Sequence, residues 1–278
     1  MGDKRQFLEQ KAWEARILTI KAIAAYGTGH LGGSLSIAEV LTVLYFEVMN
    51  IDAAFPQWPG RDRFVLSKGH AAPGLYAVLT LKGILTEEQL FTLNQDGSKV
   101  PSHCDMRMVS AVDMTAGSLG QGISAAVGMA IAAKMDHTDI RVYAIVGDGE
   151  CQEGEVWEAA MLAGHRKLDN LMVFLDNNKG QVDGFVEDVL SISPIDDKWR
   201  SFGWAVQTVD GHDVIAILGA VNRAKTTKGK PQMIVLNTIK AKGLAPLEGD
   251  PATHSMDISK EAAQFSINKL MKEGAAHA

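Results

Sequence analysis

Two short polar motifs follow apolar runs, at the spacing expected of neighbouring strands in a parallel sheet. The motif 147–149 (GDG) follows the apolar run 141–146, and the pair 177–178 (NN) follows the run 171–175, about thirty residues later. Carboxylate and amide oxygens at two strand ends, beside glycines that admit close backbone approach, suit a hard cation that carries a diphosphate. Either motif alone is typical of a tight turn or a cap. Together they favour a cation–diphosphate site.

Four of the eight histidines lie in glycine-bearing or irregular segments rather than on apolar helical stripes, namely His30, His70, His103 and His254. A neutral imidazole offers one donor and one acceptor near cellular pH, which suits hydroxyls and phosphate oxygens. Taken singly, each is typical of a solvated or locally bonded loop residue. Zinc binding is the rival interpretation, but no pair has the short helical spacing of common zinc ligands.

Two other ligand-binding motifs match only part of their required pattern. An EF-hand that begins at Asp148 requires glycine at its sixth position, where Glu153 stands. Residues 27–32 satisfy the pattern GxGxxG, yet they follow an amphipathic helix where a dinucleotide-binding fold requires a strand. No Walker sequence supplies a phosphate-binding lysine. Calcium-loop and dinucleotide-binding functions are therefore disfavoured.

The bulk composition predicts a soluble cytoplasmic protein. The chain has 278 residues, 46% of them hydrophobic and 22% charged, with a net charge of -6 and no basic footprint for nucleic acid. Cys104 and Cys151 lack metal-ligand spacing, which indicates reduced thiols. The first eleven residues are charged and have no apolar core for a signal peptide, and the uncharged stretch 114–133 is too polar to span a membrane. We expect neither nucleic-acid nor membrane partners.

Strands and helices alternate along the second half of the chain. The predicted strands are 141–146, 171–176, 204–209 and 232–238, and the predicted helices are 153–165, 195–202, 213–228 and a C-terminal helix from about Asp257. Such alternation predicts βαβ units. We therefore expect an α/β fold, a three-layer sandwich with a mainly parallel sheet, in a single domain over residues 1–278.

The first half of the chain carries clearer helix than strand signals. Its predicted elements are a helix 4–26, a second helix to about Asn50 that starts in a capping box at Ser36 and Glu39, a strand 63–66, a helix capped by Thr86 with Gln89, and a small-residue helix ending near Lys134. The turns 27–35 and 96–120 must then fold over the strand ends.

Several segments resemble those of transketolases, a family of thiamine diphosphate enzymes. GDGECQEGEVWEAAMLAGH and NLMVFLDNNKGQVDG resemble the thiamine diphosphate signature, and GTGHLGGSLS, SKGHA, PSHCD, TAGSLGQG and LEGDPATHS resemble further family segments in the same order. The resemblance covers almost the whole chain but only the first half of a typical transketolase. It implies the thiamine diphosphate-binding fold, as the diphosphate-binding module, and the N-terminal subunit of a split transketolase.

The resemblance implies a role for each matching residue. The implied metal ligands, for Mg²⁺ or another divalent cation such as Ca²⁺ or Mn²⁺, are Asp148, the Asn178 side chain and the Gly180 carbonyl. The implied cofactor contacts are His30, His70, Gly117, Leu119, Gly147, Asp148, Gly149, Asn178 and His254. The implied catalytic residues are His30, His103 and His254, with His103 on the first hydroxyl of the donor ketose.

Some positions are less typical of the family or leave alternatives open. Gly180 stands where transketolases usually have a bulky aliphatic residue, and His254 precedes a serine rather than the common glycine. The resemblance places Glu153 and Glu158 at a contact between subunits, although a solvated helix face explains them too. For Lys240 and Lys242, anion binding and simple solvation are equally good interpretations.

The implied reaction transfers a two-carbon glycolaldehyde unit from a ketose to an aldose, either of which can be a sugar phosphate. The thiamine ylid supplies the acyl-anion equivalent, and the protein supplies orientation and electrostatics. The resemblance puts the glutamate that activates the aminopyrimidine in a separate C-terminal, pyrimidine-binding subunit, so we expect an α2β2 heterotetramer. The alternatives are a subunit of a deoxyxylulose-phosphate-synthase-like or ketoacid-decarboxylating enzyme, and a non-catalytic diphosphate-binding subunit.

Overall fold

Five parallel strands form the central sheet of this computed structural model, which describes residues 2–277. In all, the described residues form nine strands, namely β1 (Thr28–Gly29), β2 (Arg63–Leu66), β3 (Val142–Gly147), β4 (Leu171–Asn177), β5 (Gly180–Gln181), β6 (Gly184–Phe185), β7 (Ala205–Asp210), β8 (Gln232–Asn237) and β9 (Met256–Asp257). The central sheet has the order β2-β3-β4-β8-β7, and each pairing in it is parallel.

Helices cover both faces of this sheet. They are α1 (Gly2–Tyr26), α2 (Leu31–Leu35), α3 (Ala38–Val43), α4 (Ala72–Leu81), α5 (Glu87–Leu90), α6 (Gln121–Met135), α7 (Gly154–His165), α8 (Val186–Leu190), α9 (Ile195–Ser201), α10 (Val214–Thr226) and α11 (Lys260–His277). Helices α1, α3, α4, α10 and α11 contribute to the core on one face, and α6, α7 and α9 to the core on the other.

Alternate residues of the central strands point into opposite cores. In β4, Met172 and Phe174 belong to one core, and Val173 and Leu175 belong to the other. Strands β3 and β4 are buried along their whole length. Burial on both faces explains why these strands are continuous apolar runs in the sequence. The predicted parallel α/β fold with helices on both faces is confirmed.

The predicted capping box at Ser36 is wrong. Helix α3 follows Ile37, and no side chain caps its N-terminus. The Ser36 hydroxyl instead donates to Asp176 Oδ2 at 2.6 Å, and Glu39 accepts from Arg16 Nη2 at 2.6 Å. Both side chains that the box requires are therefore used in contacts between distant segments.

Other departures lie in the first half of the chain. The predicted second helix is divided into α2, α3 and a π-helical turn, Leu44–Val48. Helix α4 was not predicted, because its residues 72–79 are all buried and show no polar face from which helical periodicity could be read. The capping box of α5 is confirmed, since Thr86 Oγ1 accepts from Gln89 N at 3.2 Å and Thr86 N donates to Gln89 Oε1 at 2.9 Å.

A two-stranded antiparallel ladder joins two segments that carry predicted site residues. Thr28 pairs with Asp257, and Gly29 pairs with Met256. His30 follows one strand of this ladder and His254 precedes the other, so the ladder brings the two histidine segments together.

Met1 and Ala278, which the predicted domain 1–278 includes, lie outside the described residues. Within residues 2–277, no helix combines the length and apolar character that crossing a membrane requires.

Candidate functional site

The two polar motifs lie side by side at one edge of the sheet. Strands β3 and β4 are neighbours, with Gly147 opposite Asp176, so Asp148 and Asn178 leave the sheet at adjacent strand ends. Asp148 Oδ2 accepts a hydrogen bond from the backbone N–H of Lys179 at 2.5 Å. This bond ties one motif directly to the other.

Asp176, which the sequence analysis did not single out, orients Asn178. Asn178 Nδ2 donates to Asp176 Oδ2 at 2.7 Å, which leaves Asn178 Oδ1 to accept from Gly180 N at 3.0 Å. Asp176 is fully buried and also accepts from Lys68 Nζ and Thr238 Oγ1. Burial alone would raise the pKa of Asp176, but the Lys68 ammonium and these hydrogen bonds hold that pKa below its ordinary value.

A cavity of about 270 Å³ opens at this sheet edge. The predicted site residues that line it are His70, Leu119, Gly147, Asp148, Gly149, Asn178, Gly180 and His254. A larger open cavity of about 850 Å³ lies along residues 50–59 and contains none of the predicted residues. Convergent polar groups are a better mark of a ligand site than volume, so the smaller cavity is the candidate site.

The four predicted histidines form one cluster, of which His70 and His254 line this cavity and His30 and His103 do not. The ring centroid of His30 lies 5.4 Å from that of His70, 5.2 Å from that of His103 and 5.5 Å from that of His254. The centroids of His70 and His254 are 4.8 Å apart. Four segments that are distant in sequence therefore meet in one cluster.

Burial keeps these histidines neutral. It lowers the pKa of His30 to about 4 and that of His254 to about 3, and it also lowers the pKa of His70 and His103. A lowered pKa favours the neutral ring, which offers one donor and one acceptor. His30 Nδ1 is buried and makes no hydrogen bond with any described residue.

Lys240 also enters the cavity. Its Nζ donates to the carbonyl oxygen of Gly180 at 2.7 Å and lies 3.3 Å from His254 Nδ1. The side chain is 1% exposed, and burial followed by the neighbouring Lys68 ammonium lowers the pKa of Lys240 to about 8. Lys242 instead forms an ion pair outside the cavity lining. Of the two lysines considered for anion binding, Lys240 alone is placed for it.

Two of the remaining predicted residues, Gly117 and Glu158, lie outside the cavity lining. Gly117 does not line the cavity, although Leu119 of the same segment does. Glu153 lies in the cavity wall, whereas Glu158 is exposed on α7 and does not line it. A contact between subunits at these two glutamates remains a prediction.

Sequence reasoning missed three buried charged residues around the site, namely Lys68, Glu150 and Asp176. Each lies in or beside a motif that the sequence analysis used. Asp176 directly precedes the pair 177–178, so the strand-end argument, applied to every polar residue there, would have included it. The partners of Lys68, and the Ser67 and Gly120 partners of Glu150, are distant in sequence and give no local signal.

The residues present fit the Mg²⁺ and diphosphate that the resemblance implies. They supply one carboxylate, one amide oxygen and one backbone carbonyl, a donor set that hard cations prefer. No group of three or more His, Cys, Asp or Glu side chains within residues 2–277 is placed to hold a metal, so such an ion depends on the Asn178 and backbone oxygens. A Cβ at Gly33 would lie 3.1 Å from Lys68 Nζ and 3.2 Å from His70 Nε2, so glycine keeps this wall of the cavity open.

Comparison with known proteins gives relatives over nearly the whole chain. The chain is 53% identical over 275 residues to the 6-deoxy-6-sulfo-D-fructose transketolase subunit SqwG of Clostridium sp. (strain MSTE9), and the match covers 99% of this chain and 100% of that protein. It is 38% identical to one of the subunits of the apulose-4-phosphate transketolase of Phocaeicola vulgatus, over 96% of this chain and 97% of that protein. Both relatives are named as subunits.

Solved structures and a family model agree with these relatives. The crystal structure of transketolase from Campylobacter jejuni matches with a TM-score of 0.88 and 31% identity, over 98% of this chain and 48% of that one. This chain thus spans about half the length of that transketolase. A family model described as "Transketolase, thiamine diphosphate binding domain" matches residues 8–271. The chain therefore belongs to the thiamine diphosphate-binding, N-terminal domain family of the transketolases.

Proposed function

We propose that this chain is the diphosphate-binding subunit of a two-subunit transketolase that uses thiamine diphosphate and Mg²⁺. The observation that carries this proposal is one cavity lined by Asp148, Asn178, Lys240, His70 and His254. His30 packs against both of these histidine rings. An oxygen donor set beside a cation suits a metal diphosphate, and neutral imidazoles suit a sugar. Residues 1–278 would form a single domain.

The strand-end residues would hold the metal and the diphosphate. Asp148, Asn178 Oδ1 and the Gly180 carbonyl would bind Mg²⁺, and Lys240 would neutralise a phosphate oxygen. Gly147 and Gly149 allow the backbone to come close. Bound thiamine diphosphate supplies the carbanion stabilisation on which two-carbon transfer depends.

The histidines would hold the sugar and move protons at its oxygens. Because burial lowers the pKa of His30 and His254, both rings are neutral at pH 7 and donate N–H hydrogen bonds without adding positive charge beside Lys240. Such a ring can protonate a sugar alkoxide and recover the proton afterwards. His103 contacts His30, and neither ring lines the cavity, which suits positions towards the sugar rather than at the diphosphate.

A second polypeptide would complete the active site. The chain spans about half of a full transketolase, and relatives that match it end to end are named as subunits. Among the described residues, no arginine lines the cavity, so an arginine that binds a sugar anion would come from the partner. We propose an α2β2 heterotetramer with a pyrimidine-binding C-terminal subunit, located in the cytoplasm.

The names of the relatives guide the choice of substrate. The relative at 53% identity is named for 6-deoxy-6-sulfo-D-fructose, and one at 38% identity for apulose 4-phosphate, so both names describe anionic sugars. We propose 6-deoxy-6-sulfo-D-fructose as the donor. Removal of its first two carbons as the glycolaldehyde unit leaves a four-carbon aldose that keeps the sulfonate.

Reconstitution tests the proposal. The purified chain is mixed with a candidate C-terminal subunit, thiamine diphosphate and Mg²⁺, and formation of the sulfonated four-carbon aldose is followed with an aldose acceptor. Transfer by the mixture and not by either chain alone is expected. Full turnover by this chain alone, at equal molarity, would contradict the two-subunit proposal.

The same mixture, supplied with pyruvate in place of the ketose, distinguishes the alternatives. Consumption of pyruvate with release of carbon dioxide would indicate the synthase-like or decarboxylating enzyme. Cofactor binding without transfer activity, with any partner, would indicate a non-catalytic subunit.

A further inference from the structure

Glu150 joins three segments of the candidate site. Its side chain is 2% exposed and lies in the short 3₁₀ turn that follows Asp148. Oε1 accepts from the backbone N–H of Gly120 at 2.9 Å and from the Ser67 hydroxyl, and Oε2 accepts from the N–H of Gly147 at 3.0 Å. One carboxylate thus contacts the segments at Ser67, at Gly120 and at Gly147.

Ser67 extends this connection to helix α6. Its Oγ accepts from the backbone N–H of Ile123 at 3.0 Å, in the first turn of that helix. A Cβ at Gly122 would lie 2.5 Å from Ser67 Cα, so the helix N-terminus packs on Ser67 with no space between them. Gly120 precedes the helix with φ of 87°, a left-handed conformation that favours glycine. The start of α6 is therefore fixed through Ser67 and Glu150.

The contacts of Glu150 require a carboxylate. Each of its three partners donates a hydrogen bond, and both carboxylate oxygens are used. A glutamine of the same shape would direct an NH₂ group at a donor, and one contact would be lost. Glu150→Gln therefore changes the connection while it conserves the volume.

We propose that Glu150 is a positioning residue that holds segment 117–120 in register with the strand-end turn 147–149, so that one ligand can bind to both. This inference rests on the proposed function, in which the turn contacts the diphosphate, and on the cofactor contacts that the family resemblance implies for Gly117 and Leu119. A ligand that reaches both segments depends on their relative position. A ligand that reaches only the turn does not.

The first test measures hydrogen exchange in the full-length chain without ligand. In Glu150→Gln, the rate of amide exchange within residues 118–124 is expected to rise at least about 10-fold. This factor corresponds to the free energy of one hydrogen bond to a charged group. Exchange within strand β8 should be unchanged. Glu87→Gln, the same change at an exposed position on α5, is the matched control and should behave as wild type. Unchanged exchange in segment 118–124 would overturn the proposal.

The second test compares two ligands by calorimetry at one Mg²⁺ concentration. Glu150→Gln is expected to lower the affinity for thiamine diphosphate at least about 10-fold and the affinity for inorganic pyrophosphate less than about threefold. Equal weakening of both would indicate general damage and would reject the register role. The titrations use the reconstituted two-subunit protein, and if its wild-type form binds neither ligand, the proposed function itself fails before any variant is compared.

Ser67→Ala provides a second variant in case Glu150→Gln does not fold. It removes the hydroxyl between Glu150 and Ile123 without changing the charge. It should also lower the affinity for thiamine diphosphate, and by more than it lowers the affinity for pyrophosphate. A variant that binds both ligands as wild type would contradict the proposal.

Discussion

Lys240 Nζ donates to the carbonyl oxygen of Gly180 at 2.7 Å. The same carbonyl oxygen is a proposed metal ligand. The Lys240 ammonium and the metal ion would therefore both contact this oxygen or lie next to it. A small residue at position 180 permits this, since a Cβ there would lie 2.7 Å from Lys240 Cδ. The glycine that departs from the family pattern is thus the position against which this lysine packs.

Lys240→Met should weaken the binding of thiamine diphosphate at least about 10-fold, because a buried ammonium that contacts a phosphate acts through a charge-assisted hydrogen bond. The measurement is a calorimetric titration with Mg²⁺ present. Lys242→Met is the matched control and should bind the cofactor as wild type, since Lys242 does not line the cavity. Equal losses in both variants would contradict a specific role for Lys240.

Asp148→Ala should abolish the part of cofactor binding that depends on Mg²⁺ and leave the fold intact. Burial, followed by the Asp176 charge, raises the pKa of Asp148 to about 6, so its ionised form is costly in the folded chain without a cation. The melting temperature should therefore change little. Titrations with and without Mg²⁺ test this, with Asp188→Asn on the exposed face of α8 as control. Metal-dependent binding that survives in Asp148→Ala would reject the proposed metal site.

His103→Asn should reduce kcat/KM for the donor ketose by about 10- to 100-fold, through loss of a hydrogen bond at the reacting sugar. Cofactor affinity should be unchanged, because His103 does not line the cavity. The reconstituted two-subunit assay gives the first quantity and calorimetry gives the second. His165→Asn, at an exposed position on α7, is the control. A loss confined to cofactor affinity would place His103 on the cofactor instead.

Acid stability depends on a buried ion pair outside the site. Burial would raise the pKa of Glu39, but Arg16 and His212 outweigh it and lower that pKa to about 2. A depressed carboxyl pKa stabilises the fold above its unfolded value of about 4.5, and this stability is lost as pH falls towards 2. The contribution is about 3 kcal/mol.

Glu39→Gln should therefore lower the free energy of unfolding by about 3 to 5 kcal/mol at pH 7, since it leaves a buried guanidinium unpaired. The difference from wild type should shrink between pH 4.5 and pH 2, as the wild-type carboxyl becomes protonated. Urea unfolding at several pH values measures this. A difference that is constant with pH would show that the ion pair is not its source.

The sequence predicted the sheet edge because its signal is local. Strands β3 and β4 are buried on both faces and appear as apolar runs, and the position of Asp148 and Asn178 follows from the geometry of parallel strands. The central strands and helix α1 lie within a few residues of their predicted limits. The histidine cluster came from the family resemblance, since spacing alone does not bring His30 and His254 together.

Long-range polar contacts could not be predicted from spacing. Lys68 and Asp176 are 108 residues apart, and Ser36 and Asp176 are 140 apart. Ser36 with Glu39 fits a capping box in sequence, yet its hydroxyl forms a bond to the sheet. A buried carboxylate requires several hydrogen-bond donors. A helix cap stabilises by only about 1 kcal/mol, so Ser36 bonds to the carboxylate rather than capping the helix.

The carboxylate of Asp176 accepts hydrogen bonds from Ser36, Lys68, Asn178 and Thr238, which belong to four separate segments. Detachment of any one of these segments removes a hydrogen bond from a buried carboxylate, and detachment of the Lys68 segment also leaves that charge unpaired. Cofactor exchange should therefore proceed without partial melting of this edge. When the chain is denatured, the binding edge and the strands beneath it should be lost in one cooperative step.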